Sequence, residues 1–208
     1  MAGSNAPGDN ARAALFAHLD AHAIAHETVA HPPIFTVAEG RDIKANMPGR
    51  HTKNLFLRDK AKRLFLAVAH GETTVDLVAL GKAMRSGPPD NTRPTGGGPD
   101  VRGRLSFGRP ETLLSVLGVR PGSVSPLALI NDNAHAVTHV WLDTALMANS
   151  GTPASAATRI WVHPLENTAS TAISPQGLRQ FLDSLGCAYS IVDLADPHPA
   201  GLGSKWSP

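Results

Sequence analysis

An α+β fold, a mainly antiparallel mixed sheet or partial barrel flanked by helices, is what the sequence predicts. Short apolar runs with two-residue alternation are more frequent than helical patterns, and well-capped helices are few. Strands and helices do not alternate regularly enough for a doubly wound parallel sheet. With 208 residues, 42% hydrophobic and 17% charged, the chain can bury one sizeable core. A single domain over residues 11–194 is expected, with a disordered tail at 1–10, a C-terminal tail at 195–208 and an insertion at 87–103.

The elements follow in order. Asn10 is suited to capping a first helix whose buried side carries Leu15, Leu19 and Ile24. Residues 26–30 read as extended, and Pro32-Pro33 interrupts regular structure. Thr36-x-x-Glu39 has the capping-box spacing of a short helix that ends before Pro48-Gly49. Residues 52–58 and 63–70 form a hairpin turning at Asp59-Lys60. Asp76 caps a helix over 77–84, and Pro110 opens another that closes at Gly118. Between them SGPPDNTRPTGGGPDVRG is too polar to pack and too short to be a domain, so it reads as an inserted surface loop. Strands are expected at 127–130, 136–142, 159–162 and 168–173. Ser174-Pro175 starts a last helix stopped at Gly186, and 189–194 adds a strand.

Bulk charge narrows the partners. A net charge of +2 and a pI of about 8.9 are too mild for nucleic-acid binding by charge alone, so any RNA contact must be local. No DNA partner is expected. One cysteine, Cys187, excludes an internal disulfide framework and suits a reducing compartment, and the cytoplasm fits. The start MAGSNAPGDN lacks the basic and apolar segments of a secretion signal, and no apolar run reaches membrane-spanning length.

The common catalytic patterns are missing. His18, His22 and His26 fall four apart, but the helix is expected to end near Ile24 and no HExxH is present. His135 and His139 lie too far apart along a strand to chelate. No metal and no cofactor are expected. Cys187 after Gly186 reads as a small buried hydrophobe, and PGSVSP is not a nucleophile elbow. Neither GxxxxGK[ST] nor GxGxxG occurs.

Two combinations remain: GVRPGSVSP between a helix and a strand, and Lys53 alternating with apolar residues in HTKNLFLRD. In that strand Lys53, Leu55 and Leu57 share one face, and Asn54, Phe56 and Arg58 the other. From spacing alone, a strand-start lysine snorkelling to water and a plain Gly-Pro turn are the simpler readings.

The ordered blocks HETVAHPPIFTVAE, HTKNLFLRD, RLSFG, LGVRPGSVSPLALIND and HPLENTASTAIS resemble the YbaK/ProX editing domains, over residues 11–186. Within them the chain is most similar to the free-standing bacterial prolyl-tRNA editing proteins, in the branch that clears alanine. The insertion, the N-terminal tail and the residues beyond Asp193 depart from the family pattern.

The resemblance implies an aminoacyl-tRNA hydrolase that needs neither a metal nor a protein nucleophile. It matches Lys53, the GxxxP loop at 122–126 and the His163-Pro164 turn to the family's pocket. Lys53, Gly122, Ser123 and His163 are the implied catalytic set, with His163 a wall or hydrogen-bonding partner rather than an obligatory base. Asn54, Ser125, Pro126, Asn131 and Pro164 are implied to contact substrate. A tRNA ester is already activated and carries a vicinal ribose hydroxyl, so positioning water and stabilising the oxyanion suffice. The implied substrate is alanyl-tRNA(Pro), with cysteinyl-tRNA(Pro) as the alternative. A pocket for proline cannot exclude alanine by more than about 1–3 kcal/mol, which a second sieve must correct. The tRNA(Pro) acceptor end is the expected partner, shared with prolyl-tRNA synthetase.

Lys60, Lys62 and Arg63 at the hairpin tip and Arg104 in RLSFG are the candidate tRNA contacts, against the plainer reading of a solvated charged surface. A non-catalytic aminoacyl-tRNA-binding module is the competing function, and a hydrolase of free amino-acid esters or amides a third.

Overall fold

The computed structural model describes residues 7–33, 43, 45–85, 100–148 and 158–197. In chain order the elements are α1 (Pro7–Ala21), β1 (His26–Ala30), β2 (Arg50–Arg58), β3 (Leu64–His70), α2 (Leu77–Ala83), β4 (Ser106–Phe107) and α3 (Pro110–Leu117). A 3₁₀ helix (Pro126–Asn131), β5 (Val137–Asp143), α4 (Thr144–Met147), β6 (Ile160–Val162), β7 (Ala169–Ile173), α5 (Pro175–Ser184) and β8 (Tyr189–Val192) follow. The strands form one mixed sheet in the order β1-β7-β6-β2-β3-β5-β8, with β4 added beside β2. The pairs β1–β7, β6–β7, β2–β3 and β2–β4 are antiparallel; β2–β6, β3–β5 and β5–β8 are parallel.

The apolar run of β3 is buried on both faces. Leu64, Leu66 and Val68 enter one core, while Phe65, Ala67 and Ala69 enter a second. A strand covered on both sides has no solvent face for polar residues, hence its unbroken apolar sequence. The first core takes Leu15 and Leu19 of α1, Leu113 and Leu117 of α3, and Leu178 and Phe181 of α5. The second takes Leu80 and Ala83 of α2 against Leu57 and Trp141, whose indole stacks on Phe65 at 5.0 Å between centroids.

The expected hairpin forms, and Asp59 fixes its turn. Its carboxylate accepts hydrogen bonds from the Arg63 backbone N–H (3.0 Å), from Nε and Nη2 of the Arg63 guanidinium (2.9 and 2.8 Å) and from the Arg102 N–H (3.0 Å). Asp76 and Ser174 cap α2 and α5 with their side chains, and Gly118 ends α3 at φ 66°.

Three expectations change. Residues 127–130 are not a strand: Ser125 Oγ accepts from the Leu127 N–H, and Pro126, with no N–H to give a ladder, starts a 3₁₀ turn that buries Leu127 and Leu129. Asn10 lies inside α1, which begins at Pro7, so it is not the cap, and residues 7–10 of the expected 1–10 tail are helical instead. The two-residue β4 and the short α4 were too brief to leave a periodic signal. The Thr36/Glu39 capping box and residues 87–99 of the insertion lie outside the described residues.

Gly108, which follows β4, donates its N–H to the Phe56 carbonyl at 2.8 Å, so close that a Cβ there would sit 2.3 Å from the Phe56 ring. Gly108→Ala should destabilise the protein by about 1–3 kcal/mol through overpacking, read as a lowered midpoint in urea unfolding. An unchanged midpoint would mean that Phe56 has room to move.

Candidate active site

The sheet opens where β2 leaves β6. Their parallel pairing is confined to Arg50 with Ile160 and His51 with Trp161. Gly49 permits the approach: its φ is +138°, and a Cβ would stand 2.8 Å from the Arg159 carbonyl oxygen. Past the last pair, the Thr52 hydroxyl donates to the Trp161 carbonyl at 2.9 Å, a side chain acting where strand pairing stops. Beyond it β2 continues with β3 and β6 with β7.

A cavity of about 150 Å³ sits in this fork, lined by Met47, His51, Thr52, Trp161, Val162, His163 and Ser170. His51 Nε2 donates to the Met47 carbonyl (3.0 Å), and its ring stacks on Trp161. His163 Nδ1 donates to the Ala169 carbonyl (3.0 Å), which fixes the ring at the pocket edge. Pro164 behind it is buried.

Asn54 joins this pocket to the GxxxP loop. Its Nδ2 donates to the Val124 carbonyl (2.9 Å) and to Thr52 Oγ1 (3.2 Å), while its Oδ1 is buried with no hydrogen-bond partner. Gly122 has φ +94°, a conformation that favours glycine, and its missing Cβ would be 3.8 Å from Asn167 Nδ2 of the turn after β6. Ser123 and Ser125 are buried, and Pro126 stiffens the exit.

Lys53 follows His51 on the other face of β2 from Asn54. Its Nζ donates to the Thr73 carbonyl. That carbonyl is held in turn: Asp143 accepts from Thr73 Oγ1 (2.7 Å) and from the His70 N–H (3.0 Å). Asn131 is placed elsewhere. Its amide donates to the Leu117 carbonyl (2.9 Å) and closes the end of α3, so it does not line the cavity.

The candidate tRNA contacts divide. Lys60, Lys62 and Arg104 line an open groove of about 660 Å³ at the far end of β2, together with Arg58 and Arg85. Arg63 does not, because its guanidinium is committed to Asp59. Arg58 is six residue steps from Thr52 along one strand, so the groove lies roughly 20 Å from the pocket.

Sequence reasoning missed Thr52, His51, Trp161 and Ser170 in the pocket and Arg58 and Arg85 in the groove. Thr52 and His51 adjoin Lys53 and Arg58 ends the same strand, so adjacency could have found them; Arg85 carries no signal. The remaining candidates point elsewhere. Burial, with a smaller push from Asp132, raises the Cys187 thiol to about 11, far from a thiolate at neutral pH. The His18 and His22 rings lie 4.2 Å apart between centroids, but His18 Nε2 pairs with Ser184 Oγ (2.8 Å), His22 Nδ1 bonds the His18 carbonyl and His26 stacks on Phe16, so the three do not converge.

The aminoacyl-tRNA editing domain family matches residues 31–94 and 99–181 of the chain. Prolyl-tRNA synthetase associated domain-containing protein 1 of Danio rerio is 34% identical over 155 residues, 74% of this chain and 72% of that protein. The prolyl-tRNA editing protein ProX of Acetoanaerobium sticklandii is 27% identical over 186 residues, 89% of this chain and 98% of its own. A crystal structure described as a candidate trans-editing enzyme for prolyl tRNA synthetase superposes with a TM-score of 0.60 at 18% identity, covering 92% of this chain and 98% of that one. No helix among the described residues is long and apolar enough to cross a membrane.

Asp59 makes the groove sensitive to acid. Burial would raise its pKa, but the N–H of Arg102 and the side chain and N–H of Arg63 outweigh burial and hold the carboxyl below its ordinary value. A depressed carboxyl contributes stability above its unfolded pKa, about 3.9, and that stability is lost as pH falls through the folded value. Asp59→Asn should therefore lower the melting temperature at pH 7 by several degrees and by less at pH 3. An equal loss at both pH values would show that the charge of Asp59 is immaterial.

Proposed function

The chain belongs to the aminoacyl-tRNA editing domain family, and on that premise we propose that it is a free-standing hydrolase of mischarged tRNA(Pro), with alanyl-tRNA(Pro) as its substrate. The observation that carries this reading is the small cavity in the fork of β2 and β6, bordered through Asn54 by the Gly122 loop. About 150 Å³ suits a short side chain such as that of alanine or cysteine. The cysteinyl ester is the second reading, favoured by the same volume.

In this reading the enzyme positions and polarises. Gly122 lets the ester carbonyl approach the loop, whose N–H groups stabilise the oxyanion as water adds to the carbonyl carbon. The vicinal ribose hydroxyl assists the attack; the ester C–O bond then breaks, the esterified ribose oxygen takes up a proton from the attacking water and leaves as a hydroxyl, and the amino acid departs as its carboxylate. Lys53 Nζ supplies positive charge to the terminal phosphate or carbonyl, and His163 serves as wall and hydrogen-bonding partner. Five cations in the groove at the opposite end of β2 would hold acceptor-arm phosphates. Prolyl-tRNA synthetase, which makes the mischarged tRNA, is the protein it would work beside, and the cytoplasm is where it would do so.

Incubation with labelled alanyl-, cysteinyl- and prolyl-tRNA(Pro), beside a small alanyl ester, tests the proposal. The expected result is fast release of alanine from tRNA(Pro), slow release of proline and little action on the small ester. Binding of all three tRNAs without hydrolysis would make the protein a recognition module instead.

Lys53→Ala should remain folded and lose at least about tenfold in deacylation, and Gly122→Val should lose more, because a branched side chain at φ +94° both strains and obstructs the loop. Replacing the vicinal hydroxyl by hydrogen should slow hydrolysis by roughly 10²–10⁴-fold with little loss of binding. A deoxy substrate cleaved at the normal rate, with His163→Ala inactive, would shift the base to the protein.

A further inference from the structure

The pocket's hydroxyls have their protons directed away from the cavity. Thr52 Oγ1 donates to the Trp161 carbonyl, as described above. Ser170, a buried residue, lines the cavity from β7, and its Oγ lies 2.9 Å from His31 Nε2. His31 Nδ1 lies 2.8 Å from the Pro32 carbonyl, which can only accept. That contact puts the imidazole proton on Nδ1, so Nε2 of the neutral ring is an acceptor and Ser170 must be the donor. Neither hydroxyl therefore has a hydrogen for whatever fills the cavity: Ser170 Oγ offers its lone pairs, and Thr52 Oγ1, which already accepts from Asn54 Nδ2 at 3.2 Å, keeps one.

A pocket whose hydroxyls can only accept is matched to a ligand group that can only donate. Resting on the reading of the chain as an aminoacyl-tRNA hydrolase, we infer that Ser170, oriented by His31, binds the α-ammonium group of the esterified amino acid. That group carries three N–H donors and no acceptor, as does a lysine ammonium. Charge-assisted hydrogen bonds to it are stronger than neutral ones. An N-acylated amino acid has a single amide N–H and a bulky carbonyl that would meet the same lone pairs. The pocket thus selects a free amino terminus, and esters of peptides or of formylated amino acids are spared. Ser170 is a specificity residue that touches substrate, and His31 is a positioning residue acting through it.

The test compares alanyl-tRNA(Pro) with N-acetyl-alanyl-tRNA(Pro) in the full-length protein. The wild type should cleave the acetylated ester at least about 100-fold less efficiently in kcat/KM. Ser170→Ala should lose at least about tenfold on the alanyl ester, mainly in KM, and nothing on the acetylated one, so the preference shrinks. His31→Leu should behave like Ser170→Ala. His31→Gln, whose side-chain carbonyl can accept from Ser170, should recover most of the loss; recovery by an acceptor is not expected of a residue that only fills space. Equal cleavage of the two esters by the wild type would overturn the inference and leave the hydrolase reading standing. Loss of both activities in the Ser170 variant with an unchanged ratio would also overturn it. Should the wild type cleave neither ester, the hydrolase reading falls, and titration with alaninamide and N-acetyl-alaninamide, followed by amide NMR shifts at residues 31 and 170, decides the inference. Shifts with alaninamide alone support it, and shifts with both or with neither overturn it.

Discussion

Two residue pairs between β2 and β6 are the constraint on which the rest of the arrangement depends. They join β1, β7 and β6 to the remainder of the sheet, and because the pairing stops at His51 and Trp161 a cavity opens beyond them. Had the ladder continued along β6, backbone hydrogen bonds would have closed the fork. The Thr52 hydroxyl meets the Trp161 carbonyl at this point, so that carbonyl keeps a donor where the ladder stops. Gly49 makes the contact possible on the other side, where any side chain would collide with Arg159.

From this fork the candidate machinery is held by buried polar links rather than by helix ends. Asp143 fixes the turn at Thr73, which takes the ammonium of Lys53; Asn54 ties β2 to the loop at Val124. Lys53 and Asn54 are neighbours in sequence on opposite faces of one strand, and so are steered by different parts of the protein. Rigid elements bearing short, satisfied side chains give better-defined positions than long loops do. Asn54 Oδ1 is the exception, buried and unpartnered between Thr52 and the loop at Val124.

The fold was legible where the sequence is periodic or capped. The hairpin, the Asp76 and Ser174 caps and the Gly118 stop all rest on local chemistry, and all formed as expected. Residues 127–130 were misread because a short buried apolar run has the same composition in a strand and in a 3₁₀ turn, and only the Ser125-Pro126 start distinguishes them. Ordered motifs singled out Lys53, Gly122 and His163, of which His163 lines the cavity; Ser170, which lines it too, was not singled out, since a serine in a strand announces nothing until its partner is known. His31 and Ser170 are 139 residues apart, and their contact exists only through the β1–β7 pairing. Asn131 shows the converse: a residue inside a matched motif whose amide is spent on closing a helix.

The buried Asp59 gathers the hairpin tip and the segment at Arg102 around one anion, and the exposed lysines and arginines of the groove are arranged about that anchor. The chain as a whole carries a net charge of only +2. Its attraction for polyanions is therefore concentrated rather than diffuse, and falls off within about 8 Å at physiological ionic strength. A polyanion feels that attraction on coming close enough to reach the open groove itself.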